Sequence, residues 1–249
     1  SQGVGTSLKH FAVNNQETDR MRVSAQIDER TLREIYLASF ERAVKGGQPY
    51  TIMCSYNRIN GTYAAEDRWL LTEVLRDEWG YDGLVVSDWG AARNRAKSLS
   101  AGLDWAMPNA PSTNPDVLEA VRSGALSEAD LDTSARRVLQ MVARTHAAAT
   151  TPVEVDEDAH HALAREAAAA GTVLLKNDDA DGGPLLPLSA DALAGAVVVG
   201  EFARSPRYQG AGSSLVNATR LDAALDALRE AAGTELPFAA GFSVPGPGG

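Results

Sequence analysis

Apolar positions along the first half of the chain follow two alternating rhythms. Leu32, Ile35, Tyr36, Phe40 and Val44 fall at helical spacing and predict a helix over residues 30–45. Residues 50–56 form a short apolar run, bounded by Gly46, Gly47 and Pro49 before it and Asn60-Gly61 after it, which reads as a buried strand. Asp67 then stands where a helix cap belongs, ahead of Leu70, Leu71, Val74 and Leu75 on one face and a stop near Gly80. Gly83-Leu-Val-Val-Ser-Asp88 reads as a second buried strand, with a helix from about Ala91 and a short strand over residues 103–107 continuing the alternation. Repeated βα units imply a parallel sheet with right-handed crossovers. A barrel and an open doubly wound sheet both fit, and the units are too few to close an eight-stranded barrel alone.

The rhythm changes after that. Ser127 opens a helix with capping-box spacing that is expected to run to about His146. Residues 147–158 read as a linker of alanine, threonine, Pro152 and acidic side chains. An alanine-rich helix over residues 159–170 leads into the apolar segment 172–176, which a turn at 177–183 separates from a second apolar stretch at 184–188. A strand at 196–200, a glycine-serine loop at 209–214, a helix at 221–232 and a strand at 236–240 then form a second βα set. Three segments follow: residues 1–146, the linker 147–158, and residues 159–249.

Composition narrows the function classes. The chain has 249 residues, 44% of them hydrophobic, enough for a sizeable core. A formal net charge of -10 repels phosphate backbones and anionic lipid, which argues against nucleic-acid and membrane-surface partners. A neutral sugar is indifferent to that charge. One cysteine, Cys54, excludes an internal disulfide framework, and four histidines without HExxH spacing give no metal signal. No apolar run approaches the ~18 residues of a membrane span. The opening residues lack the basic and apolar regions of a signal peptide, which leaves localisation open.

The chemistry-bearing residues cluster at predicted strand ends. Asp88 ends a strand directly before Trp89-Gly90, the edge where parallel α/β folds place their sites. Its plainer reading is a cap for the helix from Ala91. Lys9, His10, Asn14, Asn15, Gln16, Glu17 and Arg20 gather around the apolar residues 11–13, a set of donors and acceptors suited to sugar hydroxyls. Met53 and Tyr56 end the preceding strand, where the plainer reading is core packing. Glu66 and Glu73 read as solvated or capping. The loop Gly210-Ala-Gly-Ser213 is neither GxGxxG nor GxxxxGK[ST], so phosphate binding finds little support.

In order and spacing, Lys9-His10-Phe11, Asn14 to Glu17 with Arg20, Met53-Cys-Ser-Tyr56-Asn57, Ser87-Asp88-Trp89-Gly90, Ala101-Gly-Leu-Asp104 and Met107-Pro108 resemble glycoside hydrolase family 3. Val173-Leu-Leu-Lys176-Asn177, residues 185–188 and Gly210-Ala-Gly-Ser213 resemble that family's second domain. The resemblance implies the C-terminal part of a (β/α)8-type TIM barrel followed by the start of an α/β sandwich. It further implies that the barrel's opening strands and the acid/base glutamate belong to sequence outside these residues, the glutamate beyond Gly249. Carried over, Asp88 is the nucleophile, and Lys9, His10 and Arg20 bind sugar hydroxyls. Tyr56 holds the nucleophile, Met53 lines the pocket, Trp89 packs beside the sugar, and Ser213 closes the site.

The implied reaction is retaining hydrolysis of a terminal β-linked sugar, with no metal or organic cofactor and a small-molecule glycoside as partner. The family's β-N-acetylglucosaminidases carry an Asp-His pair where this chain reads Asn-Asn-Gln-Glu, which favours the glucosidase or xylosidase branch. Oligomeric state is open, a homo-oligomer included. Two rivals stand beside this reading: a Schiff-base aldolase using Lys9, and a non-catalytic sugar-binding fragment.

Overall fold

The computed structural model describes residues 4–177, 183–209 and 216–244. The chain divides into two compact units, Ser1–Val153 and Glu154–Gly249.

The first unit is built on a parallel sheet of β1 (Ser7–Phe11), β2 (Thr51–Cys54) and β3 (Leu84–Ser87), ordered β1-β2-β3. Cys54 lies opposite Ser87, and Phe11 opposite Cys54, so the three strands end together. The register between β1 and β2 shifts between Leu8 and Phe11. Trp105 continues the series through a parallel bridge to Val86, although residues 103–107 form no longer strand. Sequential strands lying side by side with helices between them are the βα pattern expected from the sequence.

The helix expected at 30–45 runs as Glu29–Thr31, a π-helical stretch Leu32–Leu37 and Ala38–Gly47. Asp28 caps it, accepting from the Thr31 amide at 3.0 Å. Leu32 and Val44 are buried, whereas Ile35 points outward and leaves the expected apolar face. The next helix, Trp69–Glu78, is capped by Asp67, which accepts from the Leu70 amide at 3.1 Å. Leu70, Leu71, Val74 and Leu75 are all fully buried, as their spacing predicts. Phe11 joins the two layers by edge contacts to Phe40 at 5.1 Å and Trp79 at 5.8 Å between ring centroids.

Two helix boundaries differ from expectation. The helix placed near Ala91 begins at Arg95, because Asn94 caps it and accepts from the Lys97 amide at 3.0 Å. The helix placed to about His146 runs Glu128–Thr150; the alanine-rich residues that follow His146 are themselves good helix formers.

One buried carboxylate fastens these elements. Asp104 accepts from Arg76 Nη2 at 2.7 Å, from Arg137 Nη1 at 3.0 Å and from the Val85 amide at 2.8 Å. Its side chain is 1% exposed and that of Arg76 is 6%. Helix Trp69–Glu78, helix Glu128–Thr150 and β3 therefore meet at one group. Burial pushes the Arg76 pKa down, opposed by the charge of Asp104.

In the second unit, helix Glu157–Gly171 starts at the Asp156 cap, and a parallel pair, β4 (Val198–Val199) and β5 (Phe238–Ala239), is followed or preceded by helices Glu201–Arg204 and Ala224–Ala232. The apolar segment 172–176 forms no regular element. Among the described residues no strand pairs with that segment, and Leu175 is 92% exposed. The second βα set is thus present in shortened form.

Replacing Asp104 with Asn leaves the Arg76 charge buried without its counter-ion and is expected to destabilise the first unit by about 3–5 kcal/mol. Breaking the exposed Arg144–Asp82 pair by Arg144→Ala is expected to cost under about 1 kcal/mol. Urea unfolding of the two variants measures the contrast; equal losses would show that the buried network does not anchor the unit.

Candidate active site

The polar residues singled out in the sequence converge where β1, β2 and β3 end. Asp88 follows the last residue of β3, and its main-chain amide donates to the Cys54 carbonyl at 3.2 Å, which extends the ladder by one rung. Its side chain is 10% exposed. Oδ1 accepts from the Trp89 amide at 2.7 Å, and Oδ2 lies 3.4 Å from His10 Nε2. No helix starts at Asp88: the cap belongs to Asn94, so the capping alternative fails for a specific reason.

His10 alternates with Phe11 along β1, so burial of the phenylalanine ring turns the imidazole to the other face. Burial lowers the His10 pKa, as does the Lys9 charge, while the Asp88 carboxylate works against both. The imidazole is therefore neutral at pH 7. Tyr56 is pushed up to about 12, first by burial and then by hydrogen bonding to Asp88 and its charge. It remains a phenol that donates. The Arg20 guanidinium stacks over the Tyr56 ring at 4.8 Å and pairs with Glu17 at 2.9 Å.

Other expected residues vary in exposure. Phe11 and Ala12 are fully buried and hold the segment down, but Asn15, Gln16 and Glu17 are exposed rather than enclosed. Lys9 is exposed, and Met53 is half-buried on β2. Trp89 is 52% exposed, a bare indole beside the carboxylate. Ser55 donates to the Ala12 carbonyl at 2.8 Å and Asn57 to the same oxygen at 3.2 Å, which ties the ends of β1 and β2 together. Glu66 accepts from the Asn94 amide at 3.0 Å, a helix-end role, and Glu73 is exposed. Ser213 lies outside the described residues.

A groove of about 900 Å³ lies beside this cluster rather than at it, lined by Tyr63, Arg68, Arg93, Arg95 and Asp116 among others. Sequence reading did not single out Arg93; its only signal there is its place five residues after Asp88.

Comparison with known proteins adds to this geometry. Residues 1–141 match the model described as the N-terminal domain of glycosyl hydrolase family 3. The chain is 52% identical to an exo-α-(1→6)-L-arabinopyranosidase of Bifidobacterium longum, over 98% of this chain and 32% of that protein. It is 47% identical to thermostable β-glucosidase B of Acetivibrio thermocellus, over 100% of this chain and 32% of that protein. The crystal structure of a Streptomyces venezuelae β-glucosidase in complex with D-glucose superposes with a TM-score of 0.85 at 34% identity, over 98% of this chain and 33% of that one. The chain thus spans about a third of the length of the curated relatives it matches.

The electrostatics of the cluster yield a titration. Because the folded pKa of His10 lies below the free value of about 6.5, its contribution to stability is intact above that pH. It is lost as the pH falls from there through the folded pKa. Asp88→Asn removes the upward pull of the Asp88 charge, so the His10 pKa is expected to drop further, as read by NMR of the ring protons. A pKa that stays or rises would show that the two groups do not face each other.

Proposed function

This chain belongs to glycosyl hydrolase family 3, and we propose that it contributes the nucleophile, Asp88, of a retaining exo-acting β-glycosidase. Its two units form the C-terminal part of a (β/α)8-type barrel and the start of an α/β sandwich. The observation that carries the proposal is the placement of Asp88: a carboxylate at a buried strand tip, released from helix capping and flanked by a neutral imidazole, a phenol and an open indole face.

In the proposed reaction an Asp88 oxygen attacks the anomeric carbon as the bond to the leaving oxygen breaks. A carboxylic acid from sequence outside these residues protonates that oxygen. Water then attacks the glycosyl-enzyme ester, giving its proton to the same carboxylate and restoring Asp88, so configuration is retained. The two carboxyl groups of such enzymes lie about 5–5.5 Å apart. Lys9, His10 and Arg20 bind sugar hydroxyls, Tyr56 orients Asp88, Met53 lines the pocket and Trp89 gives the ring an apolar wall. A lysine poised for Schiff-base chemistry needs a dry pocket, and the exposure of Lys9 weighs against the aldolase reading.

For substrate we propose a terminal β-D-glucoside, with a β-xyloside as the nearer alternative. The similarity to an arabinopyranosidase favours a second reading. An α-L-arabinopyranoside has the ring configuration of a β-D-galactoside without its hydroxymethyl group, so it offers the same anomeric face to the same carboxylate. A sugar-binding role without turnover is the remaining alternative.

In the intact enzyme, Asp88→Gly is expected to lower kcat for aryl β-glucosides by at least about a thousandfold. Azide should restore turnover and yield the α-glycosyl azide, since it takes the vacated position on the α-face. Product stereochemistry is read by NMR. Unaltered hydrolysis in the variant, or a β-azide product, would remove Asp88 from the reaction. A panel of p-nitrophenyl glucoside, xyloside and arabinopyranoside decides between the sugars.

A further inference from the structure

We infer that Arg93 is a positioning residue that locks the loop bearing Arg20 against the loop bearing Asp88; the inference rests on the reading of Asp88 as nucleophile. Arg93 Nη2 donates to the Met21 carbonyl, the residue directly after Arg20. The turn around Arg20 uses other groups for its own closure: the Arg20 amide donates to the Glu17 carbonyl at 3.2 Å, and the Arg22 and Val23 amides both donate to the Asp19 carbonyl, at 2.7 and 2.8 Å. The Met21 carbonyl takes no part in that turn, and Arg93 reaches it from the segment that follows Asp88.

The guanidinium of Arg93 is itself fixed. It stacks over the Tyr63 ring with its carbon 4.7 Å from the centroid. Arg58 also stacks on that ring, at 4.5 Å, and donates to its hydroxyl at 2.8 Å. Tyr63 belongs to a small sheet in which Arg58–Ile59 pairs with both Ser24–Ala25 and Thr62–Tyr63. The same sheet anchors the far end of the Arg20 loop, because the Arg58 amide donates to the Val23 carbonyl at 2.9 Å.

These contacts close a ring. Asp88 interacts with Tyr56, Tyr56 carries Arg20, Arg20 precedes Met21, Met21 receives Arg93, and Arg93 returns through the backbone to Asp88. A hydroxyl-binding arginine and a nucleophile on separate loops stay in register only if the loops do. A lysine could reach the Met21 carbonyl but offers no planar face for the Tyr63 ring.

Loosening the Arg20 loop weakens the grip on the sugar in ground state and transition state alike, so the loss appears in KM rather than kcat. In the intact enzyme, Arg93→Ala is expected to raise KM for p-nitrophenyl β-glucoside, and the Kd of 1-deoxynojirimycin by calorimetry, about three- to tenfold, the scale of one net hydrogen bond. kcat should stay within about twofold. Arg93→Lys should recover part of the shift, and Tyr63→Leu should reproduce it. Arg95→Ala is the control, since Arg95 donates to Thr113 and Asn114 instead. A folded Arg93→Ala enzyme with unchanged KM and Kd overturns the clamp, as does a fall in melting temperature without either shift; if Arg93→Ala does not fold, Arg93→Lys and Arg93→Gln are read the same way. Wild-type enzyme that binds the inhibitor but hydrolyses no glycoside defeats the nucleophile reading while Kd still tests the clamp, and wild type that does neither defeats both.

Discussion

The buried Asp104 carboxylate is the constraint on which the first unit hangs. Taking a carboxylate and a guanidinium out of water costs several kcal/mol per ion, and only close pairing with further hydrogen bonds offsets it. Here Asp104 collects two guanidinium groups and the Val85 amide at once. Arg76 adds a bond to the Gly83 carbonyl at 3.0 Å, at the start of the strand that ends at Ser87. Removing Asp104 would leave the Arg76 charge uncompensated in the core. Two helices and a strand are thereby fixed at the base of the strand whose tip carries Asp88.

That rigidity explains how a short sheet can hold a precise cluster. The ends of β1, β2 and β3 are level, so His10, Tyr56 and Asp88 come from three strands yet meet within one site. Buried Ser55 and Asn57 stitch the first two strand ends at the Ala12 carbonyl. Packing and hydrogen bonding beneath the site place its groups, in keeping with the rule that functional side chains at strand ends rely on the layer below.

What the sequence revealed follows the range of the interactions concerned. The face Leu70, Leu71, Val74 and Leu75, with Asp67 three residues ahead of Leu70, is local, and periodicity and capping read it correctly. Asp88 at a strand end was equally legible, since the apolar run Leu84-Val85-Val86 and Ser87 lead directly to a lone carboxylate. The pairing of Arg76 with Asp104 spans 28 residues and leaves no local trace. The Arg93–Met21 contact spans 72 and is likewise invisible until the loops are folded. Local signals also misled: Ala91 and Ala92 look like a helix start, but Asn94 provides the better cap.

The electrostatic balance at Asp88 bears on why the neighbouring imidazole is half-buried. A protonated His10 would form an ion pair with the carboxylate at 3.4 Å and, in the proposed reaction, hold its electrons away from the anomeric carbon. Burial and the Lys9 charge both disfavour that proton, and together they outweigh the pull of Asp88. Tyr56, kept in its phenol form, supplies a hydrogen bond without a positive charge. The Trp89 amide engages Oδ1, which sets the plane of the carboxylate while Oδ2 faces the cluster. Neutral donors thus orient the group without placing a proton between it and the cluster, the arrangement that the proposed attack on a developing oxocarbenium ion calls for.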